Sequence, residues 1–360
     1  MAKAKVFRYS TFNLDALLAL ATKLRGQPCS CDEFQPPMAG SLNWAVFVSF
    51  DDGVKWVLRS PRRSFLSDEY ASRILLSEVA TLRYIKAHSQ VPVPEVFAYS
   101  ASRDNDIGIP YILMSRAAGQ PLSQYNWPQP PCQPPSEGPL GDALRPLSEE
   151  DMKKLATQLA HIVLQLSRLR FDKIGSLFQD DKGNYIVGEC LSQSLTWQYR
   201  DSLEDINRGP FDSERAYLES LVSAFIRHAK ELPCRYVLTL PMSPHAFFAP
   251  IPSPSEYDSW ASYRAAAGRW NDFVAVGQKI DHSKNRLAYC IAGQLLRDAV
   301  IPSLIFSDPS HTDGFPIGHP DLHLGNIFVD DDLNITCVID WASTSTVPFP
   351  QLLACPRMMQ

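Results

Sequence analysis

The sequence predicts an α+β protein of two lobes, a small antiparallel β lobe with one helix packed on it followed by a mainly helical lobe. Three observations lead there. Trp44–Ser49 and Val54–Arg59 alternate apolar and polar residues around an Asp51-Asp52-Gly53 turn, which is the pattern of a β-hairpin. From Ser148 onward, long stretches repeat apolar residues at helical spacing. Near the C-terminus, Ile327–Val329 and Ile335–Ile339 flank the polar turn Asp330–Asn334 as a second hairpin. With 360 residues, 45% hydrophobic and 20% charged, the chain can bury a full core.

Taken in order, Leu14–Leu24 reads as an amphipathic opening helix. In the strand Val54–Arg59, alternation sets Val54, Trp56 and Leu58 on one face and Lys55, Val57 and Arg59 on the other. Gly40-Ser41-Leu42-Asn43 precedes the hairpin, where small residues let main-chain N–H groups approach an anion. Ser67–His88 has helical spacing, with Ala71, Leu75, Leu82 and Ile85 on one apolar stripe. Glu78 falls inside that stripe. A carboxylate there is costly without a cation, and Arg59 at the end of the preceding strand is the expected partner. Val91-Pro92-Val93-Pro94 begins an extended segment, Ile109–Met114 reads as a buried strand, and Gly119-Gln120-Pro121-Leu122 breaks it.

Trp127–Pro146 is proline-rich and reads as a loop insertion. Ser148 then caps a helix with acids in its first turn and an apolar stripe through Leu155, Leu159, Ile162, Val163, Leu166 and Leu169. Ser213–Glu231 and Asp258–Val300 are predicted as further helices, separated by the proline-interrupted stretch Leu240–Pro254.

The net charge of −5 and pI near 5.9 give no general attraction for polyanions, so no nucleic-acid partner is predicted. Arg59-Ser60-Pro61-Arg62-Arg63 is the only compact basic run and reads as a solvated loop after a strand. No apolar stretch is long enough to span a bilayer and the start lacks the apolar core of a secretory signal, which predicts a cytoplasmic protein without membrane contact. The acid-free, basic stretch before Asp15 keeps a mitochondrial transit peptide as the alternative. Eight cysteines without a repeated Cys-x-x-Cys pattern point to a reducing compartment; the close pair Cys29 and Cys31 lacks two further ligands for a metal.

The most informative segment is Gly318-His319-Pro320-Asp321-Leu322-His323-Leu324-Gly325-Asn326, followed after the hairpin by Val338-Ile339-Asp340-Trp341. The hairpin brings Asn326 and Asp340 to one end, so two oxygen ligands converge, as a hard cation such as Mg2+ prefers. Asp321 can serve as a general base. His319 is expected to support the loop through hydrogen bonds, and Asp330, Asp331 and Asp332 are read as solvated turn residues. Asn334-Ile335-Thr336 matches a glycosylation sequon but is read as part of the turn.

This order, His-x-Asp-x-x-x-x-Asn followed by an apolar strand ending in Asp, resembles the catalytic segment of the aminoglycoside phosphotransferase and choline kinase-like family, its fungal members above all. The resemblance extends through Gly40-Ser41-Leu42-Asn43, Trp56-Val57-Leu58-Arg59, Pro92-Val93-Pro94-Glu95-Val96 and Tyr111-Ile112-Leu113-Met114. It implies a bilobal protein kinase-like fold, divided as 1–118, a nucleotide-clamping lobe with a leading helix; 119–147, the hinge exit and proline-rich insert; and 148–360, a helical lobe with the catalytic loop. It also implies ATP or GTP as co-substrate and a small-molecule acceptor. Gly40, Ser41, Asn43, Arg59 and Glu78 would position phosphates, Met114 would lie behind the base, and the main chain of Ser115 and Ala117 would bond to it, with Arg116 pointing to solvent. Many kinases have lysine in place of Arg59, whose planar fork is not geometrically equivalent. The stretch 240–300 would help line the acceptor pocket, with Phe247, Phe248, Tyr257, Trp260, Tyr263 and Trp270 as candidate contacts.

The expected activity is transfer of a terminal phosphoryl group to a hydroxyl or amine, with Asp321 as base and Asn326 and Asp340 on magnesium. A protein-kinase reading is weaker, because Ile339-Asp340-Trp341 stands where Asp-Phe-Gly would be and no Ala-Pro-Glu follows. The chain stops twenty residues beyond Asp340, so the expected fold is shortened at its C-terminus. The rival expectation is therefore a non-catalytic or truncated kinase-like nucleotide-binding protein.

Overall fold

A computed structural model describes residues 11–32, 35, 38–40, 42–62, 67–126, 144–197, 199–231, 259, 262–264, 283–304 and 313–353. Helix α1 (Leu14–Arg25) is capped by Asn13, whose side chain accepts from the Ala16 N–H, and ends on Gly26 in the left-handed region. A six-stranded antiparallel sheet follows: β1 (Cys29–Ser30), β2 (Met38–Ala39), β3 (Asn43–Phe50), β4 (Lys55–Pro61), β5 (Val96–Ser100) and β6 (Tyr111–Ser115), in the order β1-β3-β4-β6-β5 with β2 also on β3. Helix α2 (Asp68–His88), capped by Ser67, crosses between β4 and β5.

The sheet is covered on both faces. Trp44, Val46, Val48, Trp56 and Leu58 pack against Leu17 and Ala21 of α1, while Val57, Ile112 and Met114 pack against Leu75 and Val79 of α2. This is the alternation expected for β4, and it leaves Arg59 on the α2 side.

Helix α2 is buried more widely than a single stripe predicts. Its second half packs Ala80, Leu82 and Ile85 against Ile162, Leu166, Leu177, Val338 and Trp341 from the rest of the chain. Ala71, expected in the stripe, is only half-buried and borders an open cleft. A helix buried between two layers needs apolar residues on two faces, so a one-stripe projection undercounts its core.

After β7 (Gln120–Pro121), a short parallel pair forms from β8 (Tyr125–Asn126) and β9 (Leu144–Pro146). Helix α3 (Glu149–Leu166) starts with the expected cap, as a reciprocal Ser148–Asp151 capping box, and buries Leu155, Leu159, Ile162 and Leu166. The remainder is less purely helical than expected. Strands β10 (Arg170–Phe171), β11 (Ser176–Gln179) and β12 (Tyr185–Gly188) precede helices α4 (Gln193–Thr196), α5 (Glu214–Glu231) and α6 (Ser283–Leu295), and β13 (Phe315–Gly318), β14 (Ile327–Val329), β15 (Ile335–Val338) and β16 (Ser345–Thr346) come after them, followed by a short helix over Phe349–Leu352. Strands of two to four residues are too short to carry a legible alternation, which is why several of them escape a sequence reading.

The proline-rich residues 127–143 and the aromatics Phe247, Phe248, Tyr257, Trp260 and Trp270 lie outside the described residues, as does much of the predicted helix Asp258–Val300. Among the described residues no helix is long and apolar enough to cross a membrane.

Candidate active site

The β14–β15 hairpin sets the geometry. Ile327 pairs with Val338 and the Ile339 N–H donates to the Asn326 carbonyl at 2.9 Å, so Asn326 and Asp340 leave the hairpin at one end, as expected. The Asn326 side-chain nitrogen donates to the Asp321 carbonyl at 2.9 Å. That bond uses the amide nitrogen and leaves the amide oxygen as the atom a hard cation would take.

Asp321 sits on a loop fixed by His319. The ring Nδ1 of His319 accepts the Asp321 N–H at 3.1 Å, and its Nε2 lies 3.0 Å from the Ile339 carbonyl. Since the carbonyl can only accept, the proton is on Nε2 and the ring is neutral. Burial pushes the His319 pKa down, consistent with that form. The ring also meets Trp341 edge-on, with centroids 4.5 Å apart. His319 thus ties Asp321 to the strand that leads into Asp340. The neighbouring His323 caps the turn Leu324–Asn326 by accepting the Gly325 N–H, and its Nε2 is 3.7 Å from Asp321 Oδ2.

From the opposite side, Arg59 makes an ion pair with Glu78 and places Nη1 3.5 Å from Asp340 Oδ1. Glu78 is 2% exposed, whereas the Asp340 side chain is 48% exposed and open to a ligand. Burial pushes the Glu78 pKa up, opposed by Arg59 and by the Trp341 main-chain hydrogen bond. Burial works against the Arg59 charge too, but Glu78 and Asp340 outweigh it and hold the guanidinium above its ordinary pKa. Asp340 itself has φ 65°, a left-handed conformation uncommon for a non-glycine residue.

A cleft open to solvent lies beside this pair and is bordered by Asn43, Arg59, Arg62, Ala71, Glu78 and Ala342. Gly40 is bonded to two of these bordering residues: its N–H donates to the Asn43 carbonyl at 2.9 Å and the Arg62 Nη1 donates to its carbonyl at 2.8 Å. A Cβ on Gly40 would meet only open space, so the fold itself does not demand glycine there. Ser41 lies outside the described residues. The basic run is not simply a solvated loop: Arg59 and Arg62 both line the cleft, because β4 continues to Pro61 and carries them along its edge.

At the other end of β4, Met114 is buried against Leu75 and Val79. The Ser115 N–H is taken by the Glu95 carbonyl at 2.9 Å, so the Ser115 main chain can offer a base only its carbonyl. Arg116 is exposed, as expected, with its guanidinium 5.0 Å from the centroid of the Phe47 ring. Beyond Ala117, the Thr336 hydroxyl donates to the Ala118 carbonyl at 2.6 Å and β7 pairs with β14. Gly119 has φ 82°, and a Cβ there would fall 1.9 Å from the Val329 carbonyl oxygen, so only glycine allows this crossing.

The donor set fits magnesium: one amide oxygen and one carboxylate at adjacent strand ends, with a further carboxylate, Asp321, bonded through its main chain to Asn326. Among the described residues no group of three or more His, Cys, Asp or Glu could hold a metal by itself, so phosphate oxygens would have to complete the shell. Cys29 and Cys31 do not converge, since Cys29 contacts Thr22 and the Leu18 carbonyl while Cys31 accepts from Gln35. Asp330 is a turn former: its carboxylate accepts the N–H groups of Asp332 and Asn334 and the Asn334 side chain.

The sequence pattern of the family described as "Phosphotransferase enzyme family" matches residues 33–231, more than half of the chain. The chain belongs to the phosphotransferase enzyme family. The matched stretch holds the glycine turn, Arg59, Glu78 and the Met114–Ala117 segment, and ends before the Asp321–Asp340 segment. Among relatives of this family member, a subtelomeric hrmA-associated cluster protein of Aspergillus fumigatus is 24% identical over 331 residues, covering 88% of this chain and 58% of that protein. The chain thus spans little more than half the length of that curated relative. An Altered inheritance of mitochondria protein 9 of Debaryomyces hansenii is 32% identical over 143 residues, covering 39% of this chain and 21% of that one. Of solved structures, a macrolide 2'-phosphotransferase of Brachybacterium faecium is 14% identical and covers 94% of this chain and 76% of its own, with a TM-score of 0.40.

Proposed function

We propose that this phosphotransferase moves the terminal phosphoryl group of ATP or GTP to a hydroxyl or amine of a small molecule. The observation that supports it most is the meeting of Arg59, Glu78 and Asp340 across the cleft, with Asn326 and Asp321 joined to Asp340 through one hairpin. In this reading residues 1–118 clamp the nucleotide, 119–147 form the hinge exit and insert, and 148–360 carry the base and metal ligands.

The Asp321 carboxylate accepts the acceptor proton as the new oxygen–phosphorus or nitrogen–phosphorus bond forms and the bridging oxygen–phosphorus bond of the nucleotide breaks. His319 keeps that carboxylate's loop in register with Asp340. Arg59, fixed by Glu78, presents a permanent charge to the phosphates, and the Ser115 carbonyl with the Ala117 main chain meets the base. Asn326 and Asp340 would hold magnesium, which when bound screens phosphate charge and steadies the leaving oxygen. No covalent enzyme intermediate is needed.

The test is nucleotide consumption in magnesium across a library of amino alcohols, sugars and aminoglycosides, alongside nucleotide affinity with and without the metal. Magnesium-dependent binding with acceptor-dependent turnover supports the proposal. Binding without turnover for any acceptor favours the non-catalytic rival, and absence of binding rejects both.

A further inference from the structure

Helix α2 is gripped at both ends of one row of side chains. Tyr70, Ile74 and Glu78 stand four residues apart, so they share a face over about 12 Å of helix. At one end Glu78 holds Arg59. At the other the Tyr70 hydroxyl donates to Glu189 Oε1 at 2.9 Å, and Arg73 makes an ion pair with Glu189 Oε2. Arg208 meets the same carboxylate from the second lobe, its Nε 3.9 Å from Oε1. The Arg73 and Arg208 guanidiniums lie 5.6 and 5.7 Å from the centroid of the Tyr70 ring. Burial, reinforced by Glu189, pushes the Tyr70 pKa up to about 12, so the hydroxyl stays a donor. A further tie holds the helix start, where the Ser67 N–H donates to Asp201 Oδ2 at 3.2 Å.

The segment that carries Glu189 is also bonded to the segment after Asp340. Two residues beyond Glu189, the Leu191 N–H donates to the Ser176 hydroxyl at 3.0 Å, and that hydroxyl donates to the Thr344 carbonyl at 2.7 Å. Thr344 turns back on Trp341, giving its N–H and its hydroxyl to that carbonyl at 3.2 and 2.6 Å. Ile74, midway along the row, packs against Leu191 and Ala342, and the Trp341 main chain bonds to Glu78. Residues 189–191 therefore touch α2 on one side and the Asp340 segment on the other. Without the Glu189 carboxylate, two guanidiniums would face each other across Tyr70, and their repulsion would push the start of α2 off the second lobe.

We infer that Glu189 is a positioning residue for phosphoryl transfer: by holding the start of α2 to the segment that follows Asp340, it keeps Glu78 and Arg59 at their distance from Asp340. This rests on the phosphotransferase reading above. Glu189 acts through Glu78 and Arg59 and not by contact with the reacting groups.

A double-mutant cycle tests it. Nucleoside triphosphate affinity in magnesium, by titration calorimetry, and kcat are measured for the wild type, Glu189→Gln, Glu78→Gln and the double variant, with urea unfolding of each. In the wild-type background Glu189→Gln lowers kcat about tenfold and weakens the triphosphate about fivefold; in the Glu78→Gln background the same change costs less than about twofold in either, because the group it acts through is already gone. Tyr70→Phe removes only the hydroxyl bond and gives a smaller loss of the same pattern, which keeps the test open should Glu189→Gln unfold. Equal losses in both backgrounds, or a lowered unfolding midpoint with kcat and affinity unchanged, make Glu189 a stabiliser of the fold and overturn the inference alone. If the wild-type chain binds nucleotide without turnover, the affinity cycle decides; if it binds no nucleotide, the phosphotransferase reading fails and takes this inference with it.

Discussion

Two hairpins in the second half of the chain share one turn chemistry and differ in what holds them. In β11–β12 the Asp180 carboxylate accepts the N–H groups of Lys182 and Asn184 at 2.9 and 2.8 Å and the Asn184 side chain at 3.0 Å. In β14–β15 Asp330 does the same with Asp332, Asn334 and the Asn334 side chain at 3.1, 2.8 and 2.9 Å. The residue before the asparagine has positive φ in both, 81° at Gly183 and 60° at Leu333. Gly183 is exposed, but Leu333 is fully buried among Leu122, Leu155, Leu159 and Ile327. Helix α3 reaches the second turn as well: Lys154 donates to the Asp332 carbonyl, and Gln158 donates to the Leu333 carbonyl and accepts the Ile335 N–H. A local cage closes a hairpin, whereas placing its far end against Arg59 takes a buried anchor and a brace.

The largest expected separation between the hairpins is catalytic. Asp340→Ala should lower phosphoryl transfer by about 1,000-fold, since it removes a proposed metal ligand beside the phosphates. Asp180→Ala should leave turnover unchanged. Steady-state nucleotide consumption reads both, and similar losses would erase the distinction.

Stability comes next. Leu333→Ala should cost about 2–4 kcal/mol in denaturant unfolding, because a fully buried side chain is truncated. Gly183→Ala should cost about 1 kcal/mol, because a Cβ there meets open space and only the backbone conformation resists it. A Leu333→Ala cost as small as that of Gly183→Ala would show that the anchor is not what holds the second hairpin.

The smallest effect is one of pH. The Asp180 and Asp330 side chains are held below the ordinary carboxylate pKa by the Asn184 and Asn334 side chains first of all. Each therefore stabilises its hairpin at neutral pH and loses that contribution only as pH falls through the acid range. His319 adds a step on the catalytic side alone. Burial lowers its folded pKa below the unfolded value of about 6.5, so the unfolded chain binds more protons and stability declines as pH falls below about 6.5. Urea unfolding at pH 8 and pH 6 should show this decline in the wild type and less of it in His319→Gln, which can keep both hydrogen bonds. An equal slope in both would remove His319 from the account.

The parts of the site carried by short, local patterns are legible in the sequence. A carboxylate inside an apolar helical stripe demands a cation, and Arg59 answers Glu78; a hairpin of the right length returns Asp340 to Asn326. Arg62 is not legible, because a basic residue just past a strand looks the same whether it faces water or a cleft. The second buried face of α2 is equally hidden, since the layer that covers it comes from residues about 80–260 positions further on, and strand ends of two residues such as β13–β16 pairs carry no period to detect. The hydrogen bonds that fix Ser115 and the Arg116–Phe47 contact depend on sheet register, which spacing alone does not give.

The most direct measurement is turnover and nucleotide affinity of Asp321→Asn, assayed side by side in magnesium. The account predicts that transfer falls by about 1,000-fold or more while nucleotide affinity stays within about threefold, because the proton acceptor is lost and Arg59, Asn326 and Asp340 remain. Turnover close to that of the wild type would contradict it.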